Sequence, residues 1–374
     1  MTKVTIYYFS RKKFLDNIPD DYTTLSELVR KDDFDRKSIK VVHYIDGQSH
    51  DEMESKEPEK EVITNLVIDS DEYSGIQEHA IINFSNFLKT YDIENIFIQN
   101  PPKKIEEQIT KLINEDVKIE KQEYANITQK NIIDFYEKFS ENIYGQLSAQ
   151  KRLTASLVPL LIKDREKPVV ILLYGGSGIG KTESVKLLSK IVNEPLMREQ
   201  FSMYQNEEFS KYLFGGSHSE KSFAKDLLDR ESNIILLDEF DKANPLFYSA
   251  FYQLFDEGIF VDRNYELELK KSVIICTSNF NSINEIEKVL GNAIFSRFDS
   301  IIHFSELDDI AKIKIGNQLF DEISLNYYQN FGTKVSQEII DRLKNNYINC
   351  DNARQIRGVI EDTLSFYYMD KLLK

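Results

Sequence analysis

The chain has 374 residues, of which 41% are hydrophobic and 29% are charged, a balance typical of a globular protein with two or three domains. Its formal net charge of -15 at pH 7 disfavours general binding to nucleic acids or to membrane surfaces. The two cysteines, Cys276 and Cys350, are far apart in sequence, so we expect no disulfide framework and a reducing cytoplasm. Basic residues precede any long apolar run, and no run reaches bilayer-spanning length, so we expect neither a signal peptide nor a transmembrane helix.

Residues 1–128 are predicted to form a small, separate N-terminal α/β module. Short runs rich in β-branched and aromatic residues, which are typical of strands, alternate there with segments of helical periodicity. The strand-like runs are VTIYYF, IKVVHYI, VITNLVI and NIFIQN, and the helix-like segments are EHAIINFSNFLKTY and KKIEEQITKLI. The module contains no motif that indicates a chemistry, so recruitment of a protein partner is the role that we predict for it.

Residues 129–304 are predicted to form a larger α/β domain, followed by a small helical domain over residues 305–374. Three strands of the larger domain are continuous apolar runs, namely VVILLY, NIILLDEF and SVIICTSNF. Strands that lack polar alternation indicate a parallel sheet covered on both faces. Beyond residue 305 the periodicity is mostly helical.

The strand VVILLY continues directly into GGSGIGKT, residues 175–182, and a helical pattern follows. A G-x-x-x-x-G-K-T sequence between a strand and a helix is typical of a phosphate-binding loop. Backbone N–H groups of such a loop point at the phosphates, and the helix N-terminus adds a partial positive charge. Lys181 would contact the β- and γ-phosphates, and the hydroxyl of Thr182 would ligate Mg²⁺. The predicted nucleotide-binding residues of this segment are Gly175, Gly176, Ser177, Gly178, Ile179, Gly180, Lys181, Thr182 and Glu183.

Polar side chains also follow the next two apolar strands. In NIILLDEF the apolar run is followed by Asp238 and Glu239, and in SVIICTSNF the strand-like run is followed by Asn279. At the carboxyl edge of a parallel sheet, Asp238 would hold Mg²⁺ directly or through water, and Glu239 would act as general base on the attacking water. Carboxylates also commonly leave strands into solvent, but their position after a phosphate loop favours the catalytic interpretation. The amide of Asn279 would orient water against the γ-phosphate.

The segments YGGSGIGKT, IILLDEFDKANP, IICTSNF, AIFSRFDSIIHF and NARQIR occur in the order seen in AAA+ ATPases. They most resemble the Clp/Hsp100 branch and its relatives, which include the torsins, and NIYGQLSAQKRL resembles the segment that precedes the phosphate loop there. The resemblance covers about residues 135–374. It implies an AAA+ P-loop NTPase core with a parallel sheet and a C-terminal helical lid. It also implies that the cofactors are ATP and Mg²⁺ and that the subunits form a homo-oligomer, with a hexamer expected.

The resemblance also implies roles for residues outside the three strand ends. The segment that borders the adenine is matched by Ile143, Tyr144 and Gly145. Arg297 in FSRFD matches the arginine finger, which reaches the γ-phosphate on the neighbouring subunit. Arg354 in NARQIR matches the second sensor on the lid, and Asn279 matches the first sensor. If Arg297 acts in trans, ATP lies at a subunit interface and hydrolysis requires a ring or another oligomer.

One segment departs from the family. Threading members carry an aromatic residue in a glycine-containing pore loop between the phosphate loop and the acidic pair, whereas this chain has YLFGGSHSEK, Tyr212 to Lys221. The segment is several residues shorter and lacks the aromatic-glycine element. We expect Tyr212 and Phe214 to anchor the loop, and His218 is the side chain that could fill the pore position. We also find no exposed hydrophobic-glycine-hydrophobic loop of the kind that docks a Clp peptidase.

Three functions remain open from the sequence. The favoured one is a torsin-like AAA+ ATPase that remodels or switches a protein partner without threading it and without docking to a protease. The second is a threading chaperone or unfoldase with an atypical pore loop. The third is a scaffold or sensor whose ATP state controls an effector, for example in microbial defence. Glu239 favours hydrolysis over nucleotide binding alone.

Overall fold

The structure is a computed structural model that describes residues 2–31, 34, 60–75, 81–113, 117–203, 207–332 and 334–373. The predicted strand IKVVHYI lies outside the described residues, and so does part of the predicted helix EHAIINFSNFLKTY. The chain forms two compact units. The first unit contains Met1–Tyr124, Asn206–Arg230 and Ile259–Glu268, and the second contains Ala125–Gln205, Glu231–Gly258 and Leu269–Lys374. Two short segments between strands of the second unit therefore pack with the N-terminal module.

Strands and α-helices alternate through most of the chain. The strands are β1 (Lys3–Tyr8), β2 (Thr23–Thr24), β3 (Val62–Ile68), β4 (Asp92–Gln99), β5 (Val117–Lys121), β6 (Val169–Tyr174), β7 (Met197–Gln200), β8 (Ile234–Asp238), β9 (Ile259–Val261), β10 (Glu266–Glu268), β11 (Val273–Ser278) and β12 (Ser300–His303). The labelled α-helices are α1 (Arg11–Leu15), α2 (Phe84–Leu88), α3 (Lys103–Ile113), α4 (Gln129–Asn142), α5 (Leu147–Leu157), α6 (Lys181–Val192), α7 (Glu207–Phe214), α8 (Phe223–Asp229), α9 (Tyr252–Glu257), α10 (Ile283–Leu290), α11 (Asn292–Phe295), α12 (Asp309–Phe331), α13 (Gln337–Tyr347) and α14 (Ala353–Leu372). Residues 25–31 are also helical.

The first unit is built on a five-stranded sheet with the order β2-β3-β4-β1-β5, in which all neighbouring strands are parallel. Its core combines buried strand residues, such as Ile6 and Ile96, with Ile105 and Ile109 from one face of α3. Three strand-like runs of the sequence, VTIYYF, VITNLVI and NIFIQN, correspond to β1, β3 and β4. The antiparallel hairpin β9–β10 belongs to the same unit.

The second unit contains a five-stranded sheet with the order β12-β6-β11-β8-β7, again with all neighbouring strands parallel. Every residue of β6, β8 and β11 is buried, which explains the absence of polar alternation in their sequences. The predicted α/β core with a parallel sheet and a helical C-terminal region is confirmed. Because β6, β11 and β8 are adjacent and parallel, the loops after them meet at one edge of the sheet.

The C-terminal helices α12, α13 and α14 have a hydrophobic core of their own, which includes Phe320, Leu343 and Ile356. The predicted domain boundaries after residues 128 and 304 stay predictions. Within the described ranges, every helix is too short or too polar to cross a bilayer.

Candidate nucleotide-binding and hydrolysis site

The loop between β6 and α6 has a backbone that only glycine adopts easily. Gly175, Gly178 and Gly180 have φ angles of 133°, 69° and 110°. A Cβ on Gly175 would lie 2.2 Å from the carbonyl oxygen of Phe304, and one on Gly180 would lie 2.9 Å from Cγ2 of Ile143. The loop is thus held close to two neighbouring segments, and its conformation excludes larger residues at these positions.

Lys181 begins α6 and turns its side chain back over the loop. Its ammonium donates to the carbonyl oxygens of Gly175 and Gly176, both at 2.6 Å, and to Oδ1 of Asn279 at 3.1 Å. Burial lowers the pKa of Lys181 to about 8, and three nearby carboxylates act in the opposite direction: those of Asp238, Asp241 and Glu239. The oxygens of a bound phosphate are negatively charged, whereas backbone carbonyl oxygens are not. The ammonium of Lys181 is therefore placed to give up its bonds to Gly175 and Gly176 and to bind phosphate oxygens instead.

Asp238 ends β8 and is almost fully enclosed by donors. The hydroxyl of Thr277 on β11 donates to Oδ1. Arg198 on β7 donates to Oδ2 through Nε at 3.1 Å and through Nη2 at 2.5 Å. The carboxylate of the predicted metal ligand is therefore oriented by side chains from the two strands next to β8, which are β7 and β11.

Glu239 follows Asp238 in a left-handed conformation, with φ 54°. Its N–H donates to Oγ1 of Thr277 at 2.9 Å. Its two carboxylate oxygens each accept from an amide, Oε1 from Asn279 at 3.4 Å and Oε2 from Gln200 at 3.3 Å. A non-glycine residue with positive φ is uncommon, and at this position it turns the predicted general base toward the sheet edge.

The segment predicted to border adenine is joined to the phosphate loop by the residue that follows it. Ile143 packs against Gly180, and Gly145, with φ 75°, lies against Ala311 at the start of α12. Gln146 donates to the carbonyl oxygens of Ile179 at 3.3 Å and Ser305 at 2.7 Å, and it accepts from the N–H of Ser305 at 2.9 Å. Tyr144 packs against the core of the second unit, and the ammonium of Lys314 lies 5.8 Å from the centre of its ring.

The start of α14 lies against the phosphate loop. Arg354 donates from Nη1 to Oγ of Ser177 at 3.4 Å. The N–H of Ala353 donates to the carbonyl oxygen of Gly178 at 3.1 Å, and Asn352 occupies the space next to Gly178. The predicted second sensor is thus next to the loop that it is predicted to read.

Arg297 makes its hydrogen bonds elsewhere. Its Nε donates to Oδ2 of Asp256 on α9 at 2.8 Å, and its guanidinium lies 4.3 Å from the ring centre of Tyr252. It also donates to the carbonyl oxygen of Ala293.

Glu183, on the first turn of α6, is exposed and pairs with Lys186 at 3.2 Å. The structure therefore gathers the predicted loop, acidic-pair and sensor residues at one edge, whereas the bonds of Arg297 and Glu183 are to other groups.

The residues at this edge fit a magnesium nucleotide. The Thr182 hydroxyl and the Asp238 carboxylate are hard oxygen donors of the type that Mg²⁺ prefers. Among the described residues, no cluster of three or more His, Cys, Asp or Glu side chains is arranged to hold a metal ion. Mg²⁺ needs no such cluster when nucleotide phosphates and water complete its shell.

Sequence reasoning missed five residues of this site: Gln146, Arg198, Gln200, Thr277 and Asn352. Most of their contacts depend on strand order and register, which the motifs do not contain. The one available signal is the alternation in MREQ, which places Arg198 and Gln200 on the same face of β7.

The region that carries this site is similar to known proteins. Residues 166–346 match the AAA domain (Cdc48 subfamily). The chaperone protein ClpB of Malacoplasma penetrans is 22% identical over 295 residues, which cover 71% of this chain and 41% of that protein. The ATP-dependent Clp protease ATP-binding subunit ClpL of Staphylococcus aureus (strain MRSA252) is 27% identical over 236 residues, or 55% of this chain and 34% of ClpL. The chain thus spans less than half the length of these curated relatives.

Proposed function

Because the chain contains an AAA+ ATPase domain of the Clp/Hsp100 type, we propose that it hydrolyses ATP to ADP and phosphate and uses this cycle to remodel or switch a protein partner. We propose further that the N-terminal module recruits that partner, and that force reaches it without threading of a polypeptide. The packing of Asn206–Arg230 and Ile259–Glu268 with the N-terminal module is the observation that carries this proposal.

The site residues support hydrolysis through distinct tasks. Lys181 exchanges its bonds with loop carbonyls for bonds with phosphate oxygens, and its positive charge offsets part of the negative charge of the nucleotide. Glu239, positioned by two amides, accepts a proton from the attacking water, and Asn279 holds that water in line. Thr182 and Asp238 would hold Mg²⁺, which supplies charge stabilisation at the transferred phosphoryl group.

The proposed assembly is a homo-oligomer, with six subunits expected from the family. The match of FSRFD to the arginine-finger segment supports it, and the guanidinium of Arg297 in that segment lies beside Asp256 and Tyr252. An arginine finger binds the nucleotide of a neighbouring subunit, so its guanidinium is not expected to contact the phosphate loop of its own subunit. A planar, permanently charged guanidinium suits phosphate oxygens.

The loop over residues 215–221 stands at the position of the pore loop of threading relatives. It is hydrogen-bonded within itself and to Lys225 on the helix that follows it. The ammonium of Lys225 donates to the carbonyl oxygens of His218 at 2.6 Å and Glu220 at 3.0 Å. The carboxylate of Glu220 in turn accepts from the N–H of Ser217 at 2.9 Å. Tethered at these points, the loop is poorly suited to gripping a moving polypeptide.

The aromatic and imidazole side chains of this segment differ in exposure. Tyr212 is 5% exposed, and its hydroxyl donates to Oδ2 of Asp226 at 2.6 Å. His218 is 4% exposed, so its imidazole does not project as a gripping side chain. Phe214, at 40% exposed, lies before the loop at the end of α7. These features support a function that does not depend on a pore-loop aromatic.

Both inserted segments are bonded to the N-terminal module within the first unit. In the hairpin β9–β10, the carbonyl oxygen of Asn264 accepts from the N–H of Lys103 at 2.9 Å, and Glu266 pairs with the Lys103 ammonium at 3.0 Å. In the other segment, Asp229 accepts from the N–H of Arg11 at 2.6 Å. The guanidinium of Arg230 lies 4.2 Å from the ring centre of Tyr124.

The two inserted segments are covalently connected to strands of the second unit, so movement of those strands would act on the segments. Asn206–Arg230 connects β7, which ends at Gln200, to β8, which ends at Asp238. Ile259–Glu268 precedes β11, and Asn279 directly follows that strand. A nucleotide-driven shift of these strands would therefore move segments to which the module is bonded. We propose that ATP binding and hydrolysis change the N-terminal module through these two segments.

The experiment compares ATP turnover with unfolding of a substrate. Phosphate release is measured for the wild type alongside ATP-dependent loss of fluorescence from a folded fluorescent protein that carries unstructured tails. Wild-type turnover without loss of fluorescence, together with loss of turnover in Lys181→Ala, supports the proposal. ATP-dependent unfolding would instead establish the threading alternative, and absence of turnover in an assembled oligomer would contradict hydrolysis.

A further inference from the structure

Arg198 lies on β7, the edge strand next to the strand that ends in the acidic pair. In the parallel register, Arg198 is opposite Leu236 and Gln200 is opposite Asp238. Alternate residues of a strand point to the same face, so both side chains emerge beside the acidic pair. Gln200 reaches Glu239, and Arg198 reaches Asp238.

The contact between Arg198 and Asp238 saturates one carboxylate oxygen. Nε and Nη2 both donate to Oδ2, which leaves that oxygen without a free lone pair in the carboxylate plane. Thr277 donates to Oδ1. A divalent cation that binds Asp238 through Oδ2 must therefore replace the guanidinium.

Burial explains why a cation is needed here and why this one is able to leave. The Asp238 side chain is 10% exposed, and a carboxylate buried to this extent is costly without a partner of opposite charge. The Arg198 side chain is 44% exposed, so its guanidinium has access to water if the pair breaks. The strand that carries Arg198 is an edge strand of the described sheet, so it has a neighbouring strand on one side only.

We propose that Arg198 is a positioning residue that holds Asp238 in the nucleotide-free protein and is displaced from Oδ2 by Mg²⁺ when the magnesium nucleotide binds. This inference rests on the proposed binding of magnesium and ATP at this site. Arg198 holds the carboxylate in a fixed orientation, and it competes with the metal for the same oxygen. The pair therefore sets how much Mg²⁺ is required for tight nucleotide binding.

The test measures binding, not turnover. A fluorescent ADP analogue is titrated into wild type and Arg198→Gln over a range of Mg²⁺ concentrations and in EDTA. Loss of a competing, half-exposed cation should lower the Mg²⁺ concentration required for half-maximal binding by about 3- to 10-fold. Affinity in EDTA should not increase, because a positive charge near the phosphates has been removed. Mn²⁺ titration followed by electron paramagnetic resonance, with ADP present, reports the metal directly.

Matched variants separate this effect from a general change of charge. Arg342→Gln removes an arginine that pairs with Glu338 on its own helix α13, and it should leave the Mg²⁺ requirement unchanged. Arg198→Lys keeps a charge but loses the two-donor fork, so its Mg²⁺ requirement should lie between those of wild type and Arg198→Gln. If Arg198→Gln does not fold, the Arg198→Lys variant alone decides the question.

Thermal unfolding provides a second readout. Arg198→Gln should unfold at a lower temperature than wild type without ligand, and Mg²⁺–ADP should raise its midpoint by more than it raises that of wild type. A Mg²⁺ requirement that is unchanged or higher in Arg198→Gln overturns the inference, because Arg198 would then support the nucleotide instead of yielding to the metal. If the wild type itself binds no magnesium nucleotide, the proposed function fails first, and the two failures are thus distinguishable.

Discussion

Gly180 and Gly176 offer a direct test of the phosphate-loop geometry, because alanine meets very different surroundings at the two positions. At Gly180, φ is 110° and the added Cβ would lie 2.9 Å from Cγ2 of Ile143. At Gly176, the φ angle is not in the left-handed region and nothing lies within 4 Å of the added atom. A residue held in glycine-only backbone costs about 1–3 kcal/mol, and an overpacked contact adds about 1–3 kcal/mol.

Gly180→Ala should therefore destabilise the binding-competent loop by at least about 2 kcal/mol, which corresponds to about a 30-fold loss of nucleotide affinity. Gly176→Ala should change affinity by less than about threefold, since it occupies one of the variable positions of the motif. Fluorescence anisotropy with a labelled ADP and Mg²⁺ measures both. Equal losses in the two variants, or no loss in Gly180→Ala, would refute the reasoning from loop geometry.

Four further predictions concern hydrolysis, assembly, protonation and the bonded loop. Glu239→Gln should bind ATP with near wild-type affinity, hydrolyse it very slowly and trap the oligomer; rapid phosphate release would exclude Glu239 as the general base. Arg297→Ala should bind ATP normally and lose turnover, and normal turnover in the purified variant would exclude a trans-acting role. Because burial lowers the pKa of Lys181 to about 8 and phosphate favours its ammonium form, ATP binding should take up a proton as the pH rises above about 8, and affinity should fall there. Calorimetry in buffers of different ionisation enthalpy measures this uptake, and binding without uptake at alkaline pH would contradict it. Lys225→Met should increase amide exchange over residues 215–221, whereas the exposed Lys221→Met should not; equal exchange in both would show that Lys225 does not hold the loop.

The sequence predicted those parts of the site that are encoded in contiguous segments. The phosphate loop was recognisable because the glycines, Lys181 and Thr182 are neighbours in the chain and are flanked by a strand and a helix. Asp238 and Asn279 were recognisable because each follows an apolar strand. Parallel strands bring such ends together whatever their order, so these predictions needed little knowledge of topology.

Other parts depend on contacts between distant segments. Arg198 reaches Asp238 only because β7 is next to β8 in a particular register. Gln146 bonds to Ser305 across 159 residues of sequence. The packing of Asn206–Arg230 with the N-terminal module follows from side-chain complementarity that no motif records. Local patterns therefore predicted the chemistry at the strand ends and not the residues that position it.

The central claim is that ATP binding at the site changes the N-terminal module. Hydrogen–deuterium exchange in Glu239→Gln, with and without ATP, measures this effect most directly. We predict that peptides from Asn206–Arg230, from Ile259–Glu268 and from the module strands β3 and β4 change their exchange together when ATP binds, and that Lys181→Ala shows no change. Changes confined to the second unit, with the exchange of Met1–Tyr124 unaltered, would contradict transmission of the ATP cycle to the module.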